Sequence, residues 1–311
     1  PVRTGPSWRG AAVYGLTATA VTLAGLGIWT SRGLPQRFSK EVQASVSDSI
    51  PRPVPGAEPC YSTGGFPPKP CSLGPAGAPL LATFLGDSHA DAQLLALVEA
   101  IPAGARGRVE FNALAGCPPV IDVQPAHSRS RCGAFNARFL APLTKPRRVP
   151  LVLSASWAGY SRKPAFRSSG EEGGGRGQAS FHSKLLRSSC ALASGGPTYI
   201  VLPTPHFPYW VSRELQRRLI ADPKAPDLAI PFAAHERRNR EVVAVLREAE
   251  RRCGVRLLDP APYLCRSGVC PGSLGRRPLY RDDHHLTDGG ARLLVPMFRS
   301  VFADRTGGGG G

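Results

Sequence analysis

The chain has 311 residues and a formal net charge of +17, with 35 glycines, 32 prolines and eight cysteines. A basic surface accommodates nucleic acid, anionic lipid or anionic glycan. The sequence holds no helix-turn-helix pattern, no zinc-finger spacing and no aromatic-basic ribonucleoprotein motif, so nucleic acid is the weakest of the three.

The elements follow in chain order. Residues 10–30, GAAVYGLTATAVTLAGLGIWT, carry no charge over a length that spans a bilayer core, and Trp8 and Trp29 sit near the two interfaces. This predicts one transmembrane helix. The rival is a signal peptide, since Arg3 and Arg9 precede the run, but the run is long and no small-residue cleavage site follows it. Arg32, Arg37 and Lys40 on the far side balance the N-terminal arginines, so charge alone leaves the orientation open. The chain does not start with Met, which points to processing or to a piece of a longer protein. Residues 33–79 are rich in Pro, Gly and Ser and are expected to form an extended linker with one short helix near 38–49.

Strands are expected at 80–85, 109–114, 149–154, 198–202 and 255–258, and helices at 90–101, 133–143, 181–193, 234–252 and 288–302. That alternation predicts a parallel sheet covered by helices on both faces. About 230 residues suffice for one such domain, placed at 80–304. Stretches 162–178 and 221–231 read as loops, and 305–311 as a flexible tail.

All eight cysteines lie after the apolar segment, which suggests disulfides in an oxidising compartment and sets the C-terminal side outside the cytoplasm. Proximity along the chain favours Cys60 with Cys71, Cys117 with Cys132, Cys265 with Cys270, and by remainder Cys190 with Cys253. The count alone leaves this connectivity open, and buried reduced thiols are the rival. No C-x-x-C pair is present to favour zinc.

Chemistry concentrates at two places. In LLATFLGDSHADAQLLALV the segment Gly86-Asp87-Ser88-His89 falls at a strand-to-helix junction, where a serine hydroxyl would stand at the C-terminal edge of the sheet beside helix amides. An ordinary helix cap explains Asp87 and Ser88 equally well. The distant LYRDDHHLTDGGARLL supplies what a serine nucleophile needs: a base, His285, with an orienting carboxylate, Asp282, three residues earlier. Thr287 is the expected cap of the helix that follows. His284 is the rival base, and Asp282, Asp283, His284, His285 and His89 could instead bind a divalent ion.

These segments resemble the SGNH domain fused to membrane acyltransferase-three (AT3) proteins. Gly86-Asp87-Ser88-His89-Ala90 near the start, and Asp282-x-x-His285-Leu286-Thr287 with Gly289-Gly290-Ala291 near the end, carry the likeness. Gly116-Cys117-Pro118-Pro119, Cys132-Gly133-Ala134-Phe135-Asn136, Trp157-Ala158-Gly159-Tyr160, Pro203-Thr204-Pro205, and Leu264-Cys265 with Cys270 before Tyr280 follow the same order. Trp29 to Arg37 resembles the exit of that family's last membrane helix.

The resemblance implies a three-layer α/β/α, flavodoxin-like fold and an O-acyltransferase. Ser88, His285 and Asp282 would be the triad, acting on a cell-envelope polysaccharide such as lipopolysaccharide, peptidoglycan or exopolysaccharide. It implies an acetyl group, from acetyl-CoA, delivered by a membrane acyltransferase domain fused or separate, with no cofactor bound by this domain. The setting would be the bacterial inner membrane, with the catalytic domain facing the periplasm or outside. One departure is the missing GxND motif, whose asparagine block falls at Trp157. Gly116 is a candidate oxyanion donor, with a turn role as its rival, and Trp157 a candidate pocket residue. An esterase with the same triad, and a non-catalytic basic glycan-binding domain, are the competing functions.

Overall fold

The computed structural model describes residues 8–31, 33–63, 71–123, 131–162 and 174–303. The expected tail at 305–311, most of the loop expected at 162–178, and the flanking Arg3 and Arg32 lie outside the described residues. An apolar helix, α1 (Trp8–Thr30), opens the chain. Its stretch Gly10–Thr30 is long and apolar enough to cross a membrane, and none of it is buried.

The segment 33–79, expected as an extended linker, is in part built into the folded body. Helix α2 (Lys40–Ser49) is capped by Ser39, whose hydroxyl accepts from the Val42 amide. It packs on the rest of the protein through Val42 and Ser45, and Asp48 pairs with Arg277. Strands β1 (Tyr61–Ser62) and β2 (Cys71–Leu73) follow.

The main alternation is β3 (Leu80–Gly86), α3 (Ser88–Glu99), β4 (Arg108–Leu114), α4 (Cys132–Phe139), β5 (Leu151–Ser154), α5 (Trp157–Arg162), α6 (Gly174–Gly195) and β6 (Thr198–Val201). It continues with α7 (Val211–Ala221), β7 (Ala229–Pro231), α8 (Phe232–Cys253), β8 (Arg256–Leu258), α9 (Ala261–Leu264) and β9 (Val269–Pro271). The hairpin strands β10 (Ser273–Leu274) and β11 (Arg277–Pro278) precede α10 (Asp288–Arg292) and α11 (Val295–Ala303). The single helix expected at 288–302 is thus divided. Pro296, which has no N–H to give and fits only a first helical turn, stands at the start of the second half.

The sheet runs β1-β4-β3-β5-β6-β8, all parallel, with β2 added antiparallel to β4. Its five principal strands, β4-β3-β5-β6-β8, stand in the doubly wound order 2-1-3-4-5. The order reverses between β3 and β5, and such folds form their crevices at the C-terminal ends of those two strands. Neighbouring residues on β3 serve opposite layers. Phe84 faces a core with Phe111, Leu94, Leu97 and Phe298, and Leu85 faces one with Leu153, Trp157, Phe181 and Leu246. Helices α3, α7, α10 and α11 cover the first face, and α4, α5, α6 and α8 the second. This is the expected three-layer α/β/α arrangement.

Gly86 shows why β3 ends as it does. A Cβ there would stand 1.9 Å from the Ser154 carbonyl oxygen, so only glycine lets β3 and β5 approach at their C-terminal ends. The described cysteines form Cys60–Cys71, Cys117–Cys132, Cys190–Cys253 and Cys265–Cys270, the pairing favoured by proximity.

Candidate active site

Asp87 and Ser88 divide between them the two roles that the sequence left competing. Asp87 is the cap of α3: its Oδ1 accepts the His89 amide at 2.7 Å. Its Oδ2 accepts the Ser156 amide at 3.0 Å and the Tyr160 hydroxyl at 2.5 Å. Fully buried, this carboxylate ties the start of α3 to the turn after β5, and burial raises its pKa against the pull of those three donors. Ser88 is left as the first residue of α3, half-buried, at the point where the strand order reverses.

Ser88 Oγ lies 2.7 Å from His285 Nε2, and His285 Nδ1 lies 2.6 Å from Asp282 Oδ2. A carboxylate only accepts, so Nδ1 carries the hydrogen and Nε2 is free to accept from the serine hydroxyl. Burial opposes the charge on Asp282. The His285 ring and the amides of His284 and His285, both bonded to Oδ1, outweigh it and hold the carboxyl well below the usual range. The loop is closed by Arg281 N donating to His285 O at 2.9 Å. Thr287 caps α10 by accepting from Gly290 N at 3.1 Å, and a Cβ on Gly290 would reach 2.2 Å from Leu279 O. From outside, the Val211 and Phe207 amides donate to the carbonyls of Asp282 and Asp283.

The rival base takes a different position. His284 Nδ1 pairs with Asp283 at 2.8 Å, and its ring is stacked between His206 and His89, each 5.1 Å away. Among the described residues, two groups have donor atoms within 4.8 Å of one another, His89 with His284 and His285, and His206 with Asp283 and His284. The first would need a His285 nitrogen already engaged by Ser88 or Asp282. The second joins two rings only 24° from parallel, whose in-plane lone pairs converge poorly on one ion.

Burial, with Arg238 nearby, lowers the His206 pKa to about 4. Its folded pKa lies below the unfolded value of about 6.5, so the unfolded chain binds the proton first as pH falls. Stability is complete above about 6.5 and is lost toward 4, by about 2 kcal/mol for this partly exposed group. Thermal melting across that window should fall less steeply in His206→Gln than in the parent.

The two oxyanion and pocket candidates part ways. Trp157 is fully buried, its indole N–H donates to Val201 O at 2.8 Å and its amide to Ala155 O, so it walls the site without a donor to offer. Beside it lies a narrow recess of about 20 Å³, also lined by Ala155, Thr204 and His284. Gly116 has φ 70° in a turn closed by Cys117 N to Leu114 O, the glycine's turn role. The Ser88 amide, first in its helix, has no acceptor within the helix and belongs to the residue that carries the hydroxyl. The tether from Asp87 to Tyr160 went unread in the sequence, although Tyr160 closes the segment Trp157-Ala158-Gly159-Tyr160.

The fold and the Ser88, His285 and Asp282 constellation define an α/β domain of the SGNH-hydrolase class. Residues 59–300 match the family described as "SGNH domain (fused to AT3 domains)", and the chain belongs to it. The periplasmic domain of a lipopolysaccharide acetyltransferase from Salmonella ser. Paratyphi A shares the fold, with TM-score 0.56 and 16% identity over 78% of this chain and 90% of that one. An aryl esterase from M. Smegmatis (TM-score 0.42, 15% identity, 72% and 99% covered) is also similar. So is the catalytic domain of a Streptococcus pneumoniae peptidoglycan O-acetyltransferase (TM-score 0.34, 15% identity, 74% and 97% covered). No curated protein matches the chain.

Proposed function

We propose that this domain is a serine O-acyltransferase that moves an acetyl group to hydroxyls of a cell-envelope polysaccharide. The observation that carries the reading is the continuous hydrogen-bond chain from Ser88 through His285 to Asp282 at the sheet's crevice. Membership of the AT3-fused family supports a membrane acyltransferase domain as the source of the acetyl group, with acetyl-CoA as its origin and no cofactor bound here. The apolar α1 supports a membrane anchor, and the four disulfides support an oxidising compartment such as the periplasm, with the inner membrane as the site of anchoring. The acceptor of the Salmonella relative, lipopolysaccharide, is one candidate; peptidoglycan and exopolysaccharide are others.

In this reading each residue has a step. Ser88 Oγ attacks the acyl carbonyl carbon while its proton passes to His285 Nε2, and Asp282 stabilises the imidazolium. Oxygen charge develops toward the Ser88 amide and the N-terminal end of α3. The donor's leaving oxygen or sulfur takes the proton from His285, leaving acyl-Ser88. The sugar hydroxyl then gives its proton to His285 as it attacks the same carbon, and the proton returns to Ser88.

Water can replace the sugar in the second half, which would make the domain an esterase. Single-turnover reaction of p-nitrophenyl acetate with and without envelope glycan separates the two. Transfer predicts that glycan diverts acetyl from water to sugar. Free acetate unaffected by any glycan would leave only the esterase.

A further inference from the structure

A cavity of about 230 Å³ lies between helix α3 and the loop that carries Asp282 and His285, lined by their sequence neighbours Arg281 and Leu286. One wall is helix α3. Its partly exposed residues Ser88, Asp91, Ala92 and Leu95 form a single stripe at helical spacing, and the last three line the cavity, so the stripe leads directly from the nucleophile into it. A second wall is the triad loop, through Arg281 and Leu286, which flank Asp282 and His285 in sequence. The third wall is the segment 51–61, which contributes Val54 and Tyr61. That segment is held in place by the buried Ala57 and Cys60, by the Cys60–Cys71 disulfide and by the pairing of Tyr61 with Ala113 on β4.

The lining matches one ligand chemistry. A pyranose has an apolar ring face of C–H groups and a rim of hydroxyls that donate and accept. Tyr61, Val54, Leu95 and Leu286 provide apolar surface. Asp91 and Arg281, whose ion pair is loose at 3.8 Å, provide an acceptor and a donor for hydroxyls. The charges decide the kind of sugar. Arg52 and Arg281 face Glu58, Asp91 and Asp288, so carboxylates outnumber guanidiniums in the cavity although the chain as a whole is strongly basic. A sugar carboxylate would meet that excess of negative charge.

We propose that this cavity seats one uncharged pyranose of the acceptor and directs its reacting hydroxyl toward His285. The proposal rests on the transfer reading above and adds to it the position and charge of the acceptor unit.

The test uses the full chain in detergent, p-nitrophenyl acetate as donor, and two acceptors: the uncharged N-acetylglucosamine tetrasaccharide and the anionic tetragalacturonate. The quantity read is the ratio of acetylated sugar to free acetate, with the acceptor KM. The uncharged acceptor should be preferred, and Tyr61→Ala should raise its KM about tenfold, equivalent to about 1.4 kcal/mol. Asp91→Asn, which preserves volume, should shift the ratio in the same direction. Arg247→Ala, in the separate groove along α8, should leave the ratio unchanged. An unaltered ratio in both Tyr61→Ala and Asp91→Asn, or preference for tetragalacturonate, would overturn the proposal. If the parent acetylates neither sugar, the transfer reading fails on its own account. Saturation-transfer NMR of the uncharged tetrasaccharide on Ser88→Ala then decides the cavity. Binding that Tyr61→Ala removes upholds the subsite, and no binding overturns it.

Discussion

His285→Ala is expected to lower ester turnover about 10,000-fold, whereas His284→Ala lowers it less than about tenfold. The two histidines are neighbours in sequence, and each has an aspartate partner. Only His285 has Ser88 on its other nitrogen, at 2.7 Å, with Asp282 fixing the tautomer at 2.6 Å. His284 spends its Nδ1 on Asp283 and its faces on His206 and His89, so its loss removes packing around the triad and leaves the proton path intact. On the proposed mechanism Ser88 and His285 act as one unit, so the double variant Ser88→Ala/His285→Ala should be no slower than either single one. Initial rates with p-nitrophenyl acetate compare the four variants with the parent. Equal loss in His284→Ala and His285→Ala would reassign the base.

Asp87→Ala should lower unfolding free energy by about 3 kcal/mol and also reduce turnover. The side chain is wholly buried and accepts three hydrogen bonds, from the His89 and Ser156 amides and the Tyr160 hydroxyl. Its removal leaves those donors in a dry interior, at a cost of about 1 kcal/mol or more for each unsatisfied group. It also frees the first turn of α3, on which Ser88 stands, from the turn after β5, so the loss of activity should exceed what the folded fraction explains. Tyr160→Phe removes one donor along with part of the bond network, and should cost about 1 kcal/mol. Denaturant unfolding followed at a fixed pH, with turnover measured on the folded protein, separates the two effects. Asp87→Ala with parental stability would show that the tether is dispensable.

What could be read in advance follows from the range of the forces involved. The five principal strands are short, largely apolar runs, fully buried in β5 and β6 and partly exposed in the edge strand β8, and each was legible to within two residues at either end because burial writes itself into composition. Strands β1 and β2 were not legible. They have two and three residues, stand among prolines and glycines, and exist because the edge of β4 offers them partners. Helix α7 was hidden by its arginines. Only Val211, Ser212, Leu215 and Leu219 are buried, a stripe too thin to register beside Arg213, Arg217 and Arg218.

The site divides in the same way. Ser88, Asp282 and His285 could be read because each needs its local turn: a strand-helix junction for the serine, and a tight loop with Thr287 as cap for the pair. The Asp87, Ser156 and Tyr160 network crosses about 70 residues of chain, and no local pattern announces it. Both N–H groups of Trp157 are engaged, by Val201 O and Ala155 O, so this side chain has no donor left for the site.

The most direct test of the central claim is to trap the acyl-enzyme. The full chain is mixed with p-nitrophenyl acetate, quenched in acid during turnover, digested and examined by mass spectrometry. An acetyl group on the peptide that carries Ser88, absent from Ser88→Ala, is the predicted result. Undiminished turnover in Ser88→Ala, or acetyl found only on another residue, would contradict it.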